Sequence, residues 1–142
     1  MIEVRPARDP TEVAAALDLR HEVFCVEQGV TLAEERDGRD GAAQHLVAVE
    51  DGVVIGTCWL LVEGTTVKLG RMAVARSRRG LGLARALLRE ADARARALGA
   101  EWIVLGAQLS AQAVYERAGY EAYGDVILDA GIEHVMMARS LA

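Results

Sequence analysis

The sequence predicts a single mixed α+β domain in which a mostly antiparallel sheet is crossed by one long helix running between two parallel strands. Three observations carry this prediction. Asp51-Gly52 stands between two apolar runs, the strongest short hairpin signal a sequence offers. Residues 81–98 place Leu81, Ala84, Leu87, Leu88, Ala91, Ala95 and Leu98 on one helical stripe that stops at Gly99. Strand-like runs flank that helix, residues 67–74 before it and 101–107 after it, and a crossover of that length joins parallel strands. At 142 residues the chain holds one core, so residues 1–142 are read as one domain.

The remaining elements follow in order. Residues 2–5 read as a strand. Residues 10–24 read as a helix, with Val13, Ala16, Leu17, Val23 and Phe24 at helical spacing and Arg20 on the same stripe. Residues 29–41 are rich in charge and glycine and read as an exposed loop beside a site. Residues 45–50 and 53–63 are the two strands around Asp51-Gly52, and residues 67–74 form a third after the Gly64-Thr65 turn. After the long helix and the strand at 101–107 come a short helix at 110–118, ended by Gly119, and a hairpin of residues 120–128 and 132–139.

Composition narrows the function classes. Hydrophobic residues make up 52% of the chain, with two prolines and no low-complexity tract, as in an ordinary globular protein. The net charge of -5 argues against nucleic acid as a partner. The longest uncharged apolar stretch, residues 53–62, is far short of the ~20 residues needed to cross a bilayer, so no membrane association is expected. Residues 1–9 carry charge from Glu3 onward and lack the apolar run of a secretory signal, so a cytoplasmic protein is expected. Cys25 and Cys58 stand alone and read as small apolar residues rather than metal ligands or nucleophiles, and no metal is expected.

Charge is placed unevenly within this acidic total. Between residues 71 and 96 there are eight arginines against two acids. Within that window Arg79-Gly80-Leu81-Gly82-Leu83-Ala84 opens the long helix. Glycines there let the backbone turn its N–H groups toward an anion, and the first helical turn adds free donors and a positive dipole end. With Arg76, Arg78 and Arg79 alongside, the segment suits a diphosphate. It has no Gly-Lys-Ser/Thr, which disfavours a P-loop, and the preceding strand does not open a repeated βαβ unit, which disfavours a dinucleotide fold.

Arg79, Gly82 and Ala84 match the Arg/Gln-x-x-Gly-x-Gly/Ala motif of the GNAT superfamily of acyltransferases, which this chain resembles. Gln108, Ala111, Tyr115, Gly119 and Tyr120 resemble that family's downstream Asn-x-x-Ala-x-x-x-Tyr-x-x-x-Gly-Phe segment, with Gln for Asn and Tyr for Phe. The chain is similar to the ElaA-like subgroup through Leu19-Arg20, Val23-Phe24-x-Val26-Glu27-Gln28, Leu105-Gly106-Ala107-Gln108 and Gly131-Ile132-x-His134-x-x-Met137. Glu133 departs from it, standing where the subgroup usually carries proline.

The resemblance implies a sheet of six to seven strands whose parallel central pair splays into a V, flanked by helices. It implies acetyl-coenzyme A as cosubstrate, with its pantetheine arm in the V against Met72, Ala73 and Val74. The diphosphate would lie on Arg79, Gly80, Leu81, Gly82, Leu83 and Ala84, and Gln108 and Tyr115 would also contact the coenzyme. The implied activity is N-acetyl transfer to a primary amine of a small metabolite, by direct attack in a ternary complex. A non-catalytic acyl-coenzyme A sensor and a protein lysine or N-terminal acetyltransferase stay open as alternatives. A homodimer stays open too.

Tyr115 is the candidate donor to the departing thiolate, against a packed structural tyrosine. His134 alternates with Ile132 and Met136 on one strand face and is the candidate base, against a hydrogen-bonded core histidine. Arg20 and Arg71 interrupt apolar patterns, and a charge there needs an anion. They either grip a substrate carboxylate or phosphate, or pair with internal acids such as Glu22, Glu27 or Glu34. Glu27 and Gln28 are expected on the acceptor side.

Overall fold

A computed structural model describes all of residues 1–142. Seven strands form one sheet: β1 (Ile2–Pro6), β2 (Gln44–Glu50), β3 (Val53–Glu63), β4 (Thr66–Val74), β5 (Trp102–Gln108), β6 (Glu121–Asp129) and β7 (Ile132–Ser140). Their spatial order is β1-β2-β3-β4-β5-β7-β6, and every neighbouring pair is antiparallel except β4 and β5. The helix between those two strands, α3 (Leu83–Ala97), makes the crossover.

Amphipathic patterning decides the layers. Helix α3 buries Leu83, Leu87, Leu88, Ala91 and Ala95 on one sheet face, against Leu46, Leu60, Val67, Leu69 and Ile103. Each large side chain so removed from water contributes roughly 1.5–3 kcal/mol. On the opposite face, α1 (Pro10–Arg20) sets Ala16 on Val47 and Val49. Its start is capped by Asp9, whose carboxylate accepts from the Glu12 N–H at 2.9 Å, with Pro10 at the first helical position.

The parallel pair holds together over only three residue pairs, Thr66↔Trp102, Val67↔Ile103 and Lys68↔Val104. Past them β4 pairs only with β3, and β5 pairs only with β7. The cause is a bulge in β4, where Arg71 and Met72 together oppose Cys58 and Arg71 adopts φ 54°. A bulge bends its strand and raises the local twist, so β4 leaves β5 and a V opens. Gly70 sits just before the bend because a Cβ there would lie 2.6 Å from the Trp59 ring.

Three sequence expectations are corrected. The helix read over residues 10–24 is α helical only to Arg20 and continues as a π-helical turn, His21–Glu27. The loop read over residues 29–41 contains a helix, α2 (Leu32–Glu35), and a 3₁₀ turn, Asp40–Ala42. Thr31 and Glu34 close a capping box at the start of α2, a four-residue signal that the charge and glycine content of the segment obscured. The long helix begins at Leu83 rather than Leu81, because Gly82 takes φ 79° and only then does the backbone turn helical. The last short helix, α4 (Gln112–Arg117), follows a 3₁₀ turn at Leu109–Ala111.

Candidate active site

Two clefts meet at the V, and α4 is the wall between them. One is lined by the helix-opening segment, Arg79, Gly80, Gly82, Leu83 and Ala84, together with Val74, Val114 and Arg117. None of the N–H groups from Arg79 to Arg85 donates to a protein acceptor, and the N-cap Gly82 offers no side chain to cap the helix. Gly80 and Gly82 both have positive φ and open space where a Cβ would stand. The segment is therefore a run of aimed, unpaired donors at a helix N-terminus, which fits an anionic diphosphate. Leu81 lies at its tip, exposed.

The second cleft is a cavity of about 270 Å³ on the sheet face away from α3. Tyr115, His134, Gln108, Gln28, Met72 and Arg71 all line it. Tyr115 is 8% exposed, and its hydroxyl makes no hydrogen bond to another protein group. Burial pushes that hydroxyl well above the usual phenol range, so it stays protonated. His134 brings Nδ1 within 2.7 Å of the Ile132 carbonyl oxygen. A carbonyl only accepts, so Nδ1 carries the hydrogen and Nε2 carries the free lone pair. Gln108 donates from Nε2 to Gln28 Oε1 at 2.9 Å, joining β5 to the end of the π-helical turn.

Met72, Ala73 and Val74 lie along the strand edge that the V exposes. Met72 lines the cavity and Val74 lines the helix-opening cleft, so this edge runs from one to the other. Beneath the bulge, Cys58 is fully buried and its thiol is pushed up to about 12 by burial alone, as expected of an inert packing residue.

Two arginine expectations and one glutamate expectation change. Arg20 does not line the cavity. It is 1% exposed, donating to Glu35 Oε1 from Nε at 2.6 Å and to Asp40 Oδ1 from Nη1 at 2.6 Å. It is an internal ion pair, but with Glu35 and Asp40 instead of Glu22, Glu27 or Glu34. Glu27 is likewise absent from the cavity wall. Its carboxylate receives both Nη groups of Arg79 at 2.9 Å, and those hydrogen bonds, with the charge behind them, hold it below the usual carboxylate range. Arg79 also donates to the Val74 carbonyl at 3.2 Å, so its guanidinium bridges the mouth of the cleft rather than standing free for a phosphate.

Arg71 lines the cavity and also pairs with an internal acid, Asp37 instead of Glu22, Glu27 or Glu34. Its positive-φ backbone aims the side chain across the cavity, where it donates to the carbonyls of Glu34 and Glu35 and to Asp37 Oδ2. Residues that pattern reasoning missed complete the wall: Lys68, Arg39, Trp59 and Asp129. Only one signal pointed to any of them, the alternation that puts Lys68 on the face opposite Val67 and Leu69. No group of three or more His, Cys, Asp or Glu side chains is placed to hold a metal ion.

A mixed sheet split along its parallel pair, with free helix-opening amides beside the split and a tyrosine between two clefts, defines an acyl-coenzyme A transferase. Residues 6–141 match the acetyltransferase (GNAT) domain, and the chain belongs to that family. It is 30% identical to the uncharacterized N-acetyltransferase YjcF of Bacillus subtilis, over 94% of this chain and 96% of that one. Among solved structures, an acyl-CoA N-acyltransferase from Pseudomonas aeruginosa is 33% identical, with TM-score 0.88 over 99% of this chain and all of that one. ElaA of Escherichia coli is 25% identical, with TM-score 0.87 over 99% of this chain and 100% of that one. The protein is thus a GNAT-type acetyltransferase with ElaA among its structural relatives. None of its helices is long and apolar enough to cross a membrane.

Proposed function

We propose that this acetyltransferase moves an acetyl group from acetyl-coenzyme A to a primary amine of a small metabolite, by direct attack in a ternary complex. The observation that supports the donor is the unbroken run of unpaired N–H groups from Arg79 to Arg85 beside the V. When bound, the coenzyme supplies an acyl group activated as a thioester. The amides of the helix-opening segment would hold its diphosphate. The exposed edge at Met72, Ala73 and Val74 would hold its pantetheine arm, and a main-chain N–H there would polarise the carbonyl to be attacked.

His134 and Tyr115 divide the proton work. An amine of the lysine type is protonated at neutral pH, with reference pKa ~10.4, and offers no lone pair until a base takes the proton. Nε2 of His134 is the atom that accepts it. The Tyr115 hydroxyl is held protonated by burial, so it serves as a hydrogen-bond donor rather than a phenolate. A thiolate, with reference pKa ~8.5, is a weaker base than that phenolate and is stabilised by the hydrogen bond without taking the proton.

The test is thiol release from acetyl-coenzyme A over a panel of small amines, beside coenzyme affinity measured directly. Tyr115→Phe is expected to lower kcat about 10²-fold with the coenzyme Kd unchanged. His134→Gln is expected to lower kcat/KM about 10²-fold with the coenzyme Kd unchanged. Coenzyme binding with no thiol release for any amine would overturn the reading.

A further inference from the structure

The cavity beside Tyr115 carries more fixed charge than attack by an amine requires. Three cationic side chains line it, Lys68, Arg39 and Arg71. Arg39 and Arg71 share one carboxylate oxygen, Oδ2 of Asp37, at 2.6 and 3.1 Å, so one negative charge serves two guanidiniums. Neither uses its Nη1 in a protein hydrogen bond. Lys68 enters none of the chain's ion pairs.

The acids on the same wall are engaged elsewhere. Glu35 turns its carboxylate away, to Arg20 and Arg36, and its side chain is 1% exposed. Glu34 accepts from the Thr31 hydroxyl and N–H in the capping box. Asp129 alone is free, and it stands on the β6–β7 hairpin facing Ile132, one alternate position from His134. The three cations come from β4 and from the segment after α2, and the one acid of the wall outside any ion pair or side-chain hydrogen bond comes from the hairpin that bears His134. Asp129 is near enough to Arg39 for the two charges to attract, yet no ion pair joins them.

The floor between them is apolar. The Trp59 ring lies under Gly70, with the Arg39 and Arg71 guanidiniums 5.2 and 5.9 Å from its centroid. A volume of about 270 Å³ admits a ligand of amino-acid size, below the usual range for drug-sized molecules.

We propose that the acceptor is an amino-acid-sized amine that carries its own carboxylate, held by Lys68, Arg39 and Arg71 while its amino group points to Asp129 and His134. This rests on the amine-acetylation reading above and names the class of amine. A carboxylate there completes the free donors of three cations, whereas an amine without one leaves them partnered only by water. Asp129 stabilises the ammonium form that enters before His134 takes its proton.

Norvaline and butylamine differ only by the carboxylate, and the pair tests the proposal directly. In thiol release with acetyl-coenzyme A, norvaline is expected to exceed butylamine by about tenfold or more in kcat/KM. Lys68→Gln and, separately, Arg39→Gln are expected to remove most of that preference through KM, with the coenzyme Kd unchanged. Equal use of the two amines, or a preference untouched in both variants, would overturn it. A second readout does not depend on turnover. Trp102→Phe leaves Trp59 as the sole tryptophan, and its fluorescence is expected to respond saturably to norvaline and N-acetylnorvaline but not to butylamine. If coenzyme binds and no amine of either kind releases thiol, the transfer reading fails alone. The carboxylate site then stands on a saturable Trp59 response and falls without one.

Discussion

The proposed diphosphate cradle and the proposed acceptor cavity lie on either side of α4 and are built in opposite ways. The cradle is one contiguous stretch, Arg79 to Arg85, that acts through main-chain N–H groups. The cavity is assembled from side chains on β3, β4, β5, β7, the π-helical turn and the segment around α2. One depends on two glycines adopting positive φ, the other on a buried ion network that holds distant elements together. A site made of backbone is set by local conformation, and a site made of convergent side chains is set by tertiary packing. The two should therefore fail separately.

Breaking the ion network gives the largest effect. Glu35 is 1% exposed in its side chain and anchors Arg20, also 1% exposed, which in turn holds Asp40. Glu35→Ala leaves the Arg20 charge buried with only one partner, a loss of about 3–5 kcal/mol. Urea denaturation is expected to show that loss, with the acceptor KM raised because α2 supplies carbonyls to Arg71. Coenzyme affinity in the variant that remains folded is expected to change by less than about twofold. A comparable loss of coenzyme affinity would show that the two clefts are one cooperative unit.

Gly82→Val makes the complementary break. Gly82 has φ 79° with nothing within 4 Å of a Cβ, so the penalty is conformational and not steric crowding, about 1–2 kcal/mol. Relief of that strain turns the N–H groups of Leu83 and Ala84 away from the cleft. Calorimetry is expected to show coenzyme binding weakened by about tenfold or more, while the Trp59 fluorescence response to acceptor is retained. Unchanged coenzyme affinity would mean that the cradle does not rest on this residue.

The same contrast explains what was legible in the sequence. The sheet was readable because its cues are local: Asp51-Gly52 at the β2–β3 turn, period-two alternation in β4, and the α3 stripe. The cradle was readable for that reason too, since glycine spacing and helix opening lie within a few residues. Resemblance to the GNAT family brought Tyr115, His134, Gln108 and Gln28 to attention, and all four line the same cavity. Arg20 and Arg71 looked alike, each a charge in an apolar pattern. Only the packing of α2 separates them, burying one with Glu35 and leaving the other on the cavity wall. Arg39 and Trp59 carried no local mark, because their roles arise where a ring crosses Gly70 and a guanidinium from another segment settles over it. Glu27 and Gln28 were both expected on the acceptor side, but the π-helical turn sends the two in different directions, one to Arg79 and the other to Gln108.

That divergence leads to the smallest expected effect, and to the one place where side-chain charge reaches the cradle. Arg79 is the single arginine of the helix-opening motif, yet Glu27 occupies both of its Nη groups. The pair is partly solvent exposed, 43% for Arg79 and 24% for Glu27, so solvent screening leaves it little weight in stability. A bound diphosphate brings two charges to the same guanidinium, enough to compete with one carboxylate. Glu27→Gln removes that competitor and is expected to tighten coenzyme binding about threefold at low ionic strength, with the thermal midpoint nearly unchanged. At 1 M salt, where the screening length is about 3 Å, the gain is expected to vanish. Weaker binding in Glu27→Gln would reverse the reading: Glu27 would then hold Arg79 in place for the phosphates, and the cradle would depend on packing as the cavity does.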